Sequence, residues 1–142
     1  MAFEISRTDV WAGEIDIHPG ALARQLEALR KAGVNLESAI VRPAAPLSSG
    51  GVLFVAPLVG PEQTRAAEKV GLRKTASIHA VRIAGPDRPG LLAEIARLLT
   101  DANLNIAGLS AASIADRGVH YFRFECAADA VRAVEVLTEK LI

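Results

Sequence analysis

The chain has one cysteine, one tryptophan, one tyrosine and no excess of either charge. With Cys126 alone, no internal disulfide can form and no zinc site built on several thiolates exists. This usage fits a reducing, cytoplasmic compartment. Sixteen Lys and Arg balance sixteen Asp and Glu. That balance gives no electrostatic reason to expect a nucleic-acid backbone or an acidic membrane as partner. The first sixteen residues, MAFEISRTDVWAGEID, are charged throughout and contain no apolar core of a signal peptide. The most apolar stretch, Gly51 to Val59, is nine residues long and holds Pro57. A membrane helix needs about 20 apolar residues, so none is expected.

Catalytic signatures are missing too. There is no G-x-S-x-G, phosphate-binding loop, G-x-G-x-x-G or H-E-x-x-H. The histidines (His18, His79 and His120) are not spaced as helical metal ligands. His79 and His120 read as structural residues of strands. Cys126 alternates with His120, Phe122 and Phe124 and reads as a buried core thiol. No nucleophile pairs with a base at a recognisable spacing, so neither an enzyme nor a resident cofactor is expected.

What is present is a repeat. Shifted by seventy residues, Pro19–Ala39 falls on Pro89–Leu109 without a gap, and seven of the twenty-one positions are identical. Ordinary composition gives about one or two. The matches include Pro19/Pro89, Gly20/Gly90, Leu29/Leu99 and Asn35/Asn105. Beyond a loop of different length the offset becomes sixty-seven, pairing Gly51-Val52 with Gly118-Val119.

Both copies carry one pattern. Strands over Val10–Ile17 and Ile78–Ala84 run into a Pro-Gly turn. Helices follow, with apolar stripes at Leu22, Leu26 and Leu29, and at Leu92, Ile95, Leu98 and Leu99. Gly33 and Asn103 stand where a helix C-cap takes a left-handed residue. Next come strands over Leu36–Arg42 and Ile106–Ile114. The turn after them is long in copy one (Pro43–Gly50) and short in copy two (Asp116-Arg117-Gly118). Strands over Val52–Val59 and Val119–Cys126 follow, then helices over Glu62–Val70 and Asp129–Lys140. Val131, Val134 and Leu137 line one face of the last helix. The order predicts an α+β protein of two ferredoxin-like βαββαβ copies, spanning 1–76 and 77–142, each an antiparallel sheet with helices on one face. Copy one can take its fourth strand from Leu72–Ser77. Copy two runs out of chain at Ile142, and by the repeat offset Phe3–Arg7 matches Arg73–Ser77. Residues 2–7 are therefore the candidate fourth strand of copy two, because an unpaired edge is otherwise left open.

The segment Gly85-Pro86-Asp87-Arg88-Pro89-Gly90-Leu91-Leu92 joins a strand to a helix. A helix start exposes unpaired N–H groups that suit a carboxylate. Gly90 lets a ligand approach the backbone. Asp87 suits an ammonium group, Arg88 can screen or close the site, and Asn105 both donates and accepts. These residues suit a free amino acid. They equally serve a tight turn with a helix cap, Asn105 holding a loop, and taken alone that plainer reading has the edge.

The string D-R-P-G-L-L, a helix and then N-L-N-I resemble the ACT domain, a small β-α-β-β-α-β regulatory module that in many members binds an amino acid. The resemblance covers nearly the whole chain as two tandem copies, without a catalytic domain. Copy one is looser, with Ile17-His18-Pro19-Gly20 in place of the Asp-Arg motif. The resemblance implies a non-catalytic module whose ligand, a free amino acid or similar small carboxylate, sits where the strand-to-helix loop of one copy meets a partner copy. It implicates Asp87, Arg88, Gly90, Leu91, Leu92, Asn105 and Ile106, and more weakly His18, Gly20, Ala21, Leu22 and Asn35. It also implies a homodimer. Two alternatives stand beside it: an assembly module without ligand, and a single-stranded RNA-binding protein. The RNA reading is disfavoured because alternation leaves only Tyr121 of its strand's aromatics on the open face.

Overall fold

A computed structural model describes residues 3–44 and 50–141. The chain forms two compact units. One is Asp9–Thr75; the other is Ala76 onward together with the residues up to Thr8.

The first unit contains β2 (Trp11–Asp16), α1 (Ala21–Lys31), β3 (Ser38–Pro43), β4 (Gly50–Ala56), α2 (Gly60–Lys69) and β5 (Arg73–Lys74). Its antiparallel sheet runs β3-β4-β2-β5. The fourth strand expected over Leu72–Ser77 is only two residues long. The long turn expected over Pro43–Gly50 falls mostly at residues 45–49, outside the described residues.

The second unit contains β1 (Glu4–Thr8), β6 (His79–Pro86), α3 (Leu91–Asp101), β7 (Gly108–Ile114), β8 (Arg117–Phe124) and α4 (Ala127–Lys140). Its antiparallel sheet runs β1-β6-β8-β7. β1 lies beside β6 as β5 lies beside β2, with Glu4 opposite Ala84 and Thr8 opposite Ala80. The span of 1–76 expected for copy one is thus shortened at its start. Residues 4–8 hydrogen-bond into the other sheet, where they cover an edge of β6. Ala2, the first residue of the expected strand, lies outside the described residues.

The two Pro-Gly turns are the same structure. Gly20 and Gly90 are the N-caps of α1 and α3, at φ 92° and 83°. A side chain is strained at such angles, which is why glycine stands there twice. In each turn the N–H of the following residue donates to the residue before the proline: Ala21 to His18 at 3.3 Å, Leu91 to Arg88 at 3.2 Å. The helices also end alike. Gly33 (φ 80°) and Asn103 (φ 61°) are left-handed. The N–H groups after them, of Val34 and Leu104, donate back to Leu29 and Leu99, which closes the last turn.

Each unit has its own core. In the second, Ile95 and Leu99 of α3 pack with Phe122 and Phe124 of β8 and with Ala130, Ala133 and Leu137 of α4. In the first, Trp11, Ile15, Leu29, Leu53 and Val55 play that part. The stripes differ from the sequence expectation in three places. Leu22 and Leu92 are exposed, because the buried rows run through Ala21, Gln25 and Leu29, and through Leu91, Ile95 and Leu99. Val131 is exposed, because α4 turns its alanines inward. Cys126 is exposed: β8 ends at Phe124, so the alternation stops before it, and Cys126 becomes the N-cap of α4. Tyr121, expected on an open face, is buried.

Candidate ligand site

The second unit has a cavity of about 270 Å³ at the start of α3. Asp87, Arg88 and Gly90 of the strand-to-helix loop form its rim. Leu91, Leu92 and Ala93 of the first helical turn, Ala111, Ala112 and Ser113 of β7, and His120 of β8 form its walls. The strand register brings these together, since Ala111 lies opposite His120. No side chain among the described residues caps α3; the Leu91 N–H donates to the Arg88 carbonyl, and those of Leu92 and Ala93 have no intrahelical partner. Beside Gly90 a Cβ would meet nothing within 4 Å.

Of the residues picked out in copy two, Asp87, Arg88, Gly90, Leu91 and Leu92 border this cavity. Asn105 and Ile106 do not; Asn105 is exposed and Ile106 packs against the core. The Arg88 guanidinium is held in place. It pairs with Glu94 and stands 5.7 Å from the centre of the Phe3 ring.

In copy one, Ala21 borders a cleft of about 500 Å³ together with Arg24, Gln25 and Lys69. His18, Gly20, Leu22 and Asn35 are not among its lining residues. The His18 ring is exposed, with Nδ1 3.0 Å from the carbonyl of Pro19 and Nε2 3.9 Å from Asp16. Gln25 is buried and donates from Nε2 to the carbonyls of Glu14 (3.3 Å) and Val70 (3.1 Å), tying β2 to the end of α2.

The residue missed by sequence reading is His120. It is only 3% exposed, and among the described residues neither ring nitrogen has a hydrogen-bond partner. An unpaired buried polar group costs about 1–3 kcal/mol, so an unbonded ring in a cavity wall calls for a reason. Its space comes from Gly118, two residues earlier on the same face: a Cβ there would stand 3.1 Å from Nε2. The repeat offers a comparison. At the positions of Asp87 and His120, copy one has Ile17 and Leu53. Ile17 lies across Gly51, and Leu53 is fully buried in the core. One copy has both polar residues, and the other has apolar residues at both positions.

Residues 79–139 match the family model of the ACT domain. The chain carries an ACT domain. The matched segment holds the whole cavity lining, and copy one repeats the same fold. A protein from Bacteroides thetaiotaomicron has a similar structure (TM-score 0.78, 20% identity, 96% of this chain and 90% of that one). So does the regulatory subunit of aspartate kinase from Thermus thermophilus (TM-score 0.59, 22% identity, 94% of each chain). The corresponding subunit from Thermus flavus matches at a TM-score of 0.55 and 22% identity, over 95% of each chain. At these identities the likeness establishes the fold. No curated protein sequence matches this chain.

Among the described residues of this ACT-domain chain, no group of three or more His, Cys, Asp or Glu is placed to hold a metal ion. No helix among them is long and apolar enough to cross a membrane.

Burial lowers the pKa of His120 below its ordinary 6.5, and the Asp87 carboxylate offsets part of that shift. The unfolded chain therefore takes up this proton more readily than the folded one. The neutral ring's contribution to stability is complete above pH 6.5 and is lost as pH falls below 6.5 towards the folded pKa. Melting temperature measured against pH should fall on the acid side, and His120→Leu should flatten that limb. An acid limb unchanged in the variant would contradict this assignment.

Proposed function

We propose that the ACT domain of the second copy binds a free amino acid, as a regulatory module without catalysis of its own. The observation that carries this reading is the unbonded His120 in the wall of a cavity that opens on the uncapped start of α3. The ligand's carboxylate would accept from the first-turn N–H groups, and Asp87 would take its ammonium group. Arg88, already paired with Glu94, would border the rim. Copy one, with Ile17 and Leu53 at the matching positions, offers neither polar group. Ligand binding would favour one packing of the copies over another, which is how a chain of this kind passes on a signal.

Assembly of two copies of the chain is supported by β7. It is an edge strand, and it exposes Leu109 and Ile114.

A thermal-shift panel of amino acids tests the binding. At a hundredfold excess over Kd a ligand adds about 2.7 kcal/mol, which for a unit this small means roughly 10 °C or more. Asp87→Ala should abolish most of the shift, and Ile17→Ala should leave it unchanged. If no amino acid moves the curve at millimolar concentration, the reading is wrong. Light scattering on the same samples reports whether the ligand changes the molar mass.

A further inference from the structure

We infer that the site selects an amino-acid side chain bearing a hydroxyl or carboxamide, through the imidazole of His120. The inference rests on the reading of this cavity as an amino-acid site. An α-amino acid offers three groups to its binder. The carboxylate goes to the start of α3 and the ammonium to Asp87, so the side chain is left to face the interior walls. Those walls are Leu91, Leu92, Ala93, Ala111 and Ala112, which are apolar, and Ser113 and His120, which are not; of the two polar residues Ser113 is exposed and His120 is buried. Both ring nitrogens are buried and unbonded. Among the described residues nothing pairs with them, and a polar ligand group beside the ring would be their partner.

The identity of that partner follows from the ring. A neutral imidazole carries one donor and one acceptor. A hydroxyl or a carboxamide can both donate and accept. An aliphatic side chain can do neither and would seal the two nitrogens off unpaired. The volume of about 270 Å³ is enough for a free amino acid. Gly118 leaves room for the ring, since a Cβ there would press on Nε2 from 3.1 Å. Copy one shows the opposite choice at the same two positions, Ile17 and Leu53. Copy two has Asp87 and His120 together, and copy one has neither.

The test compares ligands of equal shape. Binding of threonine against valine, and of asparagine against leucine, is measured by titration calorimetry on the full chain. The polar member of each pair should bind roughly 5- to 150-fold tighter, because the aliphatic one leaves a buried group unpaired. His120→Leu, which places there the residue copy one already buries at Leu53, should erase the preference. His120→Gln retains a donor and an acceptor and should keep it, which guards against a variant that merely folds poorly. Equal binding of the pairs by the wild-type chain would overturn the inference while leaving the amino-acid site intact. So would a preference that survives His120→Leu. Silence from all four ligands and from the wider panel would overturn the amino-acid site itself, and this inference with it.

Discussion

Removal of residues 1–8 should lower the melting temperature of the second unit by roughly 15 °C or more. β1 pairs with β6 from Glu4 to Thr8. Phe3 and Ile5 pack against the core of that unit, and the Phe3 ring lies directly over Gly85. Burying an apolar side chain of this size is worth about 1.5–3 kcal/mol, so the two together contribute about 3 kcal/mol or more. The lost strand pairing adds to that. For a unit of this size each kcal/mol moves the transition by about 4–8 °C. The deletion would also turn β6 from an inner strand into an edge, open to pairing with another chain. Hydrogen exchange shows the effect directly. Amides of His79–Pro86 should lose protection, and those of β2 and β4, whose sheet contains none of the deleted residues, should keep it. Unchanged protection in β6 would show that β1 contributes little.

Phe122→Ala should destabilise the same unit by about 3–5 kcal/mol, the usual cost of cutting a buried phenylalanine down to a methyl group. Phe122 is 1% exposed and lies opposite Val81 and Leu109 in the sheet. α3 and α4 cover it, through Ile95, Leu99 and Leu137, so the space it leaves is closed on all sides. Val131→Ala is the matching control. Val131 is 45% exposed on α4 and should change stability by no more than about 0.5 kcal/mol. Chemical denaturation of both variants measures the difference. Equal losses would mean that the core is not where the structure puts it.

That pair of residues also marks how far sequence reading reached. Val131 and Phe122 are both large and apolar, and both lie in segments whose type was read correctly. Periodicity identified α4 as a helix. It could not say that the alanines at 130 and 133, rather than Val131, would face the sheet. A helix covered closely by a sheet admits small residues at the contact, and the partner surface decides this. The same limit explains Leu22 and Leu92, where the buried row is displaced by one residue. For Cys126, alternation was carried two residues past the true end of β8.

The candidate site divides along the same line. Asp87, Gly90 and the turn around them were legible because the turn is local. A Pro-Gly step, a helix start and a repeated copy all sit within a few residues. His120 was read as a structural residue, because its meaning lies in what does not touch it. Asn105 was grouped with the loop by motif and stands apart from the cavity in space.

From the residues alone came the duplication, the order of strands and helices, the Pro-Gly turns at 20 and 90, the matching helix ends at Gly33 and Asn103, and the need for a borrowed strand with residues 2–7 as its candidate. These depend on backbone preference and periodicity, which act over a few residues. Tertiary structure alone decided which helix faces are buried, the register in which residues 4–8 pair with β6, and that an unbonded imidazole lines a cavity beside Asp87. Such features depend on packing between segments far apart in the chain, where neighbouring residues carry no record of what will lie against them.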